Sequence, residues 1–213
     1  MATMVDACLN GDPNTYNKIY SHWFPEANRD DVTNVLKAMV NPASTDGTGS
    51  TTLSQITVAN EPEYSEILCG DNLAYTINSD AGDRDNDPRD LTMVFCDTET
   101  YHPYAFPALN DITCANLDTF TSTKMQTFGG YALVHELAHV AQISGSAIKP
   151  LNIPLPEEPN TMCSCADDFT YGPQSCQTLS TNPPTSKSAV ANADSYGWFV
   201  TVCTSLFSSS FPS

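Results

Sequence analysis

The chain has 213 residues and carries 8 Lys+Arg against 25 Asp+Glu, a formal net charge of -17. This length allows one sizeable core, and the acidic excess argues against nucleic acid or an anionic membrane as a partner. The eight cysteines are spread along the chain, which predicts a secreted, extracellular, disulfide-bonded protein. No signal-peptide pattern is visible at the start, so we expect a mature form whose leader has been removed.

The first predicted elements are helices, and short strands follow them. One helix is predicted over Thr15–Trp23, and the next is capped by Asp30 or Asp31 and ends at Asn41-Pro42. Alternating or β-branched runs separated by turn residues then predict strands over 53–59, 65–69, 73–77 and 91–95.

The second half is predicted to be helical. A central helix begins at Ser122 or Thr123 and runs to about Ile143, and a last helix covers about 185–207. We therefore expect one α+β domain over 1–213, mostly helical with a small β-sheet. Residues 1–120 would form a lobe of helices plus the sheet, and residues 121–213 a helical lobe. Disulfides stabilise it, for which we suggest the pairs Cys8–Cys69 and Cys96–Cys114.

The central helix contains the motif His135-Glu136-Leu-Ala-His139. Residues four apart lie on one face of a helix, so His135 and His139 can direct two imidazole nitrogens at one ion. Glu136 directly follows His135 on the helix, so its carboxylate is within reach of a water held by that ion. Because the helix is apolar nearly all round, burying these groups is costly unless something pairs with them. The motif is typical of zinc metalloproteases, with two ligands and a general base.

A catalytic zinc takes three protein ligands, so a third must come from elsewhere. Gln142 and Gly145 stand where a metzincin needs Gly and His, which excludes that class. Glu157 and Glu158 have the spacing of a thermolysin-like ligand, but the flanking prolines prevent a helix there. The acids that remain are Asp167, Asp168 and Asp194.

Two segments after the motif, Asp168-Phe-Thr-Tyr171-Gly172 and Asn192-Ala-Asp194-Ser-Tyr196, together with the motif itself, resemble the fungal deuterolysin family, the aspzincins. Phe95-Cys96 also resembles a strand end of that family. The resemblance implies a zincin-like fold, Asp168 as the third zinc ligand and Tyr171 as a catalytic residue that stabilises the oxyanion. The family has Gly-Thr where this chain has Ser164-Cys165, so the loop before Asp168 differs.

Asp167 and Asp194 stay open as alternative ligands. We favour Asp194 as an acid behind the metal site, which would accept an N–H from a zinc-bound histidine and fix its tautomer.

The expected function is a secreted zinc metalloendopeptidase that binds one Zn²⁺. Glu136 would take a proton from the attacking water, and the strand 91–95 would form a cleft edge for an extended peptide. We expect a monomer whose partners are protein or peptide substrates. The alternative is a non-catalytic zinc-binding or host-interaction protein on the same fold. The presence of Glu136 and the small number of histidines, four, favour the enzyme.

Overall fold

The computed structural model describes residues 2–40, 53–60, 74–78, 91–96, 129–140, 143–144, 169–182 and 189–208. The chain opens with three helices: α1 (Ala2–Asn10), α2 (Pro13–Trp23) and α3 (Arg29–Val40). Asp12 caps α2 by accepting the Thr15 amide at 2.8 Å, and a proline occupies its first position. Helices α2 and α3 confirm the two predicted here, whereas α1 was not predicted.

Three strands form a small mixed sheet: β1 (Thr57–Asn60), β2 (Ala74–Asn78) and β3 (Leu91–Phe95). β3 lies in the centre, parallel to β1 and antiparallel to β2. The prediction that 91–95 forms a cleft edge is therefore wrong, because both edges of this strand are already paired. The strand predicted over 65–69 lies outside the described residues.

The second half contributes α4 (Gly129–Ala138), α5 (Pro173–Thr181) and α6 (Ala193–Ser208). α4 packs against α6, β2 and α3, while α6 also packs against α1, α2 and α5. α5 was not predicted, although Gly172-Pro173 is a start signal, since proline is favoured at the first position of a helix.

One hydrophobic core joins the amino-terminal helices to α4 and α6. Aromatic rings occupy its centre, with Phe24 packed edge-on against Phe199 at 5.4 Å and tilted against Tyr196 at 5.0 Å. Beside them, the indoles of Trp23 and Trp198 stack at 6.5 Å with only 7° between their planes. α2 and α6 are therefore joined by large apolar contacts, which are a major source of stability in a core.

A disulfide joins Cys8 in α1 to Cys203 in α6, with the two Cα atoms 5.3 Å apart. The suggested Cys8–Cys69 pair is therefore wrong, because α1 packs along α6 and places Cys8 against that helix instead. Cys96 is also in a disulfide, but Cys114, its suggested partner, lies outside the described residues. Cys176 is a buried thiol.

The predicted fold class is confirmed in its architecture: a mostly helical single domain with a small three-stranded mixed sheet and a disulfide. The division into two lobes stays a prediction. Among the described helices, none has both the length and the apolar composition that crossing a bilayer requires.

Candidate metal centre

The motif lies at the carboxyl end of α4, the helix that packs against α6, β2 and α3. The prediction that this helix continues to about Ile143 is wrong, since α4 ends at Ala138. The amides of His139 and Val140 donate to carbonyls only three residues back, those of Glu136 and Leu137, each at 3.1 Å. Such bonds tighten the last turn of a helix. His139 therefore lies in the closing turn, where it is half-buried, while His135 and Glu136 are buried.

The two imidazoles face each other through their Nε2 atoms, which lie 3.3 Å apart. Their ring planes meet at 71° and their centroids are 5.0 Å apart. Two nitrogens bound to one zinc at about 2.0–2.1 Å, with a tetrahedral angle between them, lie about 3.3–3.4 Å apart. The separation of the imidazole nitrogens thus matches that of two nitrogens bound to one zinc ion.

Asp194, in the first turn of α6, lies directly behind His135. Its side chain is fully buried, and its Oδ1 is 3.3 Å from His135 Nδ1. Its other oxygen, Oδ2, accepts the Gly172 amide at 2.7 Å, the Trp198 indole N–H at 3.0 Å and the Cys176 thiol at 3.4 Å. A carboxylate facing Nδ1 favours the tautomer with the proton on that nitrogen, which leaves Nε2 as the metal-binding atom.

The environment of Asp194 changes its acidity. Burial raises the pKa of this carboxyl group to about 6, while the hydrogen bonds from Gly172 and Trp198 act in the opposite direction. A buried carboxylate is tolerated when donors satisfy it. The three donors on Oδ2 therefore account for an acid in so apolar a position.

The segment 169–172 is hydrogen-bonded to Asn192 and Asp194, at the start of α6. Thr170 donates its amide to Asn192 Oδ1 at 3.1 Å, and Gly172 reaches Asp194 with a φ of 87°, a conformation that favours glycine. Between them, the Tyr171 ring lies nearly parallel to the His135 ring, with 16° between planes and 6.0 Å between centroids. Tyr171 is 56% exposed, so about half of its side chain faces solvent beside His135.

The Glu136 side chain is hydrogen-bonded to a threonine of the sheet. Thr76, in the middle of β2, donates its hydroxyl to Glu136 Oε2 at 2.8 Å, and the same hydroxyl lies 3.1 Å from the Glu136 carbonyl oxygen. Glu136 is 4% exposed, so its carboxylate is in a largely dry environment where a hydrogen bond is strong. The general base predicted from the motif thus has a defined partner on a neighbouring strand.

The predicted third ligand falls outside the described residues. Asp168, Asp167, Glu157 and Glu158 are all among the residues that are not described. Within the described ranges, no group of three or more His, Cys, Asp or Glu is gathered as a metal site. The structure therefore brings together His135, Glu136, His139, Tyr171 and Asp194, and leaves the choice of third ligand a prediction.

Several residues around the site were not predicted from the sequence. Trp198 is four residues after Asp194, a helical spacing at which an acid and an indole N–H meet, so this pair was readable. Thr76 had no such signal, because it is 60 residues from Glu136 in a strand of ordinary composition. Gly172 belongs to the segment that resembles the family motif, but its amide contact with Asp194 depends on the tertiary structure.

Comparison with known proteins supports the fold. No protein-family model matches the sequence, and no curated protein matches it significantly. Among solved structures, the chain is similar to a zinc peptidase from Grifola frondosa, with a TM-score of 0.51 and 15% identity, over 94% of this chain and 86% of that one. At this identity the likeness is one of fold.

Proposed function

We propose that this chain is a zinc-dependent metalloendopeptidase that is secreted and hydrolyses peptide bonds in proteins or peptides. One observation carries the proposal: two imidazole Nε2 atoms lie 3.3 Å apart next to a buried glutamate. The similarity in fold to a zinc peptidase supports it, and the Cys8–Cys203 disulfide is consistent with secretion.

The residues that would hold the metal are His135 and His139, through Nε2, and Asp168 as the third ligand. The resemblance of 168–172 to the aspzincin motif favours Asp168 over Asp167, and Thr170 and Gly172 of that segment hydrogen-bond beside His135, to Asn192 and Asp194. A bound zinc lowers the pKa of a water and polarises a carbonyl oxygen. Asp194 would keep the His135 proton on Nδ1, so that Nε2 stays available.

Glu136 acts as the general base in this proposal. Its carboxylate takes a proton from the water whose oxygen forms a bond to the scissile carbonyl carbon. When the carbon–nitrogen bond breaks, Glu136 delivers that proton to the leaving amine. The Tyr171 hydroxyl would donate a hydrogen bond to the carbonyl oxygen as negative charge develops on it. The exposure of the Tyr171 ring beside His135 is compatible with this role.

The test combines metal analysis with cleavage of casein or a fluorogenic peptide. We expect one zinc per chain and an activity that a chelator abolishes and added zinc restores. Glu136→Gln should bind zinc but lose about 10²–10⁴-fold in kcat, the usual contribution of a general base. Glu26→Gln is a matched control, since Glu26 is exposed and pairs with Arg29 in a surface contact.

The histidines are tested in the same way. His135→Ala should lose zinc, whereas His22→Ala, at an exposed position of α2, should keep it. If the wild-type protein holds one zinc but cleaves nothing over a broad pH range, the chain is instead a non-catalytic zinc-binding protein. Sedimentation of the purified protein checks the expectation of a monomer.

A further inference from the structure

The hydrogen bond from Thr76 to Glu136 joins the sheet to the proposed catalytic glutamate. The hydroxyl is 2.8 Å from Oε2 and 3.1 Å from the carbonyl oxygen of the same residue. That carbonyl also accepts the His139 amide in the closing turn of α4. A single threonine hydroxyl therefore contacts both the side chain and the backbone carbonyl of Glu136, the residue that directly follows the first predicted ligand.

The position of Thr76 is fixed by the sheet. Thr76 pairs with Met93 on β3, and β3 is itself held between β1 and β2. Met93 belongs to the main core, whereas the neighbouring pair Tyr75 and Val94 packs on the other face of the sheet. Side chains alternate between faces along a strand, so Thr76 is placed on the face that meets α4.

This arrangement suits a group that must be placed accurately. Glu136 has three rotatable side-chain bonds before its carboxylate, and proton transfer requires it within about 2.6–3.2 Å of the water. A donor on Oε2 reduces the orientations open to the carboxylate. Sites built on strands and helices are more precise than sites on loops, and misplacement by about 1 Å can cost on the order of 10²-fold in rate.

We propose that Thr76 is a positioning residue that orients the Glu136 carboxylate for proton transfer. The inference rests on the proposed peptidase function and adds a residue outside the motif to that site. Thr76 acts through Glu136 and contacts neither the substrate nor the predicted metal ligands' side chains in this role. Its removal should therefore lower kcat while leaving KM and zinc content nearly unchanged.

The kinetic test compares Thr76→Val, which removes the hydroxyl at similar volume, with Thr76→Ser, which keeps it. We expect Thr76→Val to lose about 10–100-fold in kcat, with KM within about twofold of wild type and one zinc per chain. Thr76→Ser should recover most of the loss. Thr57→Val is the matched control, since Thr57 is exposed on β1 of the same sheet, and it should behave as wild type.

Two kinetic results would overturn the proposal. One is an unchanged kcat in Thr76→Val. The other is a loss of kcat that is accompanied by an equal loss of zinc, or that Thr76→Ser fails to recover, because either would indicate a structural role for this residue.

A second measurement does not depend on activity. Urea unfolding of Thr76→Val, Glu136→Ala and the double variant gives the coupling between the two side chains. We expect the single effects to be non-additive by about tenfold in the unfolding equilibrium constant. If the wild type cleaves nothing but the coupling is present, the peptidase proposal fails and the contact stands. Additive effects would refute the role of Thr76 whether or not the protein is a peptidase.

Discussion

Replacing Asp194 by asparagine tests the part of the site behind His135. The carboxylate has neighbours on both sides: Oδ2 accepts from Gly172, Trp198 and the Cys176 thiol, and Oδ1 lies 3.3 Å from His135 Nδ1. An asparagine has one acceptor oxygen and one amide group that only donates. In either orientation of the side chain, the amide NH₂ therefore meets a group that should itself donate.

The consequence for the metal differs between the two orientations. If the NH₂ faces His135, Nδ1 must become an acceptor and the ring proton moves to Nε2, the atom that would bind zinc. If the NH₂ faces the other way, the Gly172 amide, the Trp198 indole and the Cys176 thiol lose their shared acceptor. Loss of such an outer partner typically weakens metal affinity by about 10–100-fold, equivalent to about 1.4–2.7 kcal/mol.

The assay is competition for zinc with a chromophoric chelator, together with circular dichroism to verify the fold. Asp12→Asn serves as the control, because Asp12 is an exposed helix cap and asparagine caps equally well. A zinc affinity of Asp194→Asn within twofold of wild type would refute the tautomer argument. Complete loss of zinc in Asp194→Asn but not in Asp168→Ala would make Asp194 the ligand.

Two further predictions concern stability. Replacing both Cys8 and Cys203 by serine opens a link between residues 195 apart, which should lower the free energy of unfolding in urea by about 4–5 kcal/mol. A loss below about 1 kcal/mol would contradict the entropic argument. Gly197→Ala places a Cβ 2.7 Å and 2.9 Å from two ring carbons of buried Tyr131, so it should cost about 1–3 kcal/mol by overpacking. The cost should shrink in a Tyr131→Leu background, and an undiminished cost would assign it to another cause.

The helices that were predicted correctly have strong local signals. α3 shows Val32, Val35, Leu36 and Met39 at helical spacing, and all four side chains are buried. α5 has a weaker pattern, since Cys176 and Ser180 are its buried residues. Its proline start is the one local signal that indicates this helix. In α1 the side chains of Met4, Val5 and Cys8 are buried. The helix is too short for a helical period to be evident in its sequence.

The metal centre was predictable to the extent that helical spacing determines it. His135 and His139 meet because they are four residues apart. Their Nε2 atoms remain close although α4 ends at Ala138, between the two histidines. The contacts of Thr76 and Gly172 depend on how a strand and a loop dock against this helix, which no local pattern encodes. The suggested partner of Cys8 is wrong for the same reason, because α1 meets α6 only in the folded chain.

The stacked indoles give this protein an intrinsic optical reporter. The chain has two tryptophans, Trp23 and Trp198. Their near-parallel rings are close enough to couple electronically. Trp198 also donates to Asp194, which faces His135. A change in charge at His135 is thus two contacts away from the chromophore. Near-ultraviolet circular dichroism and tryptophan emission should therefore follow the occupancy of the metal centre in unlabelled protein.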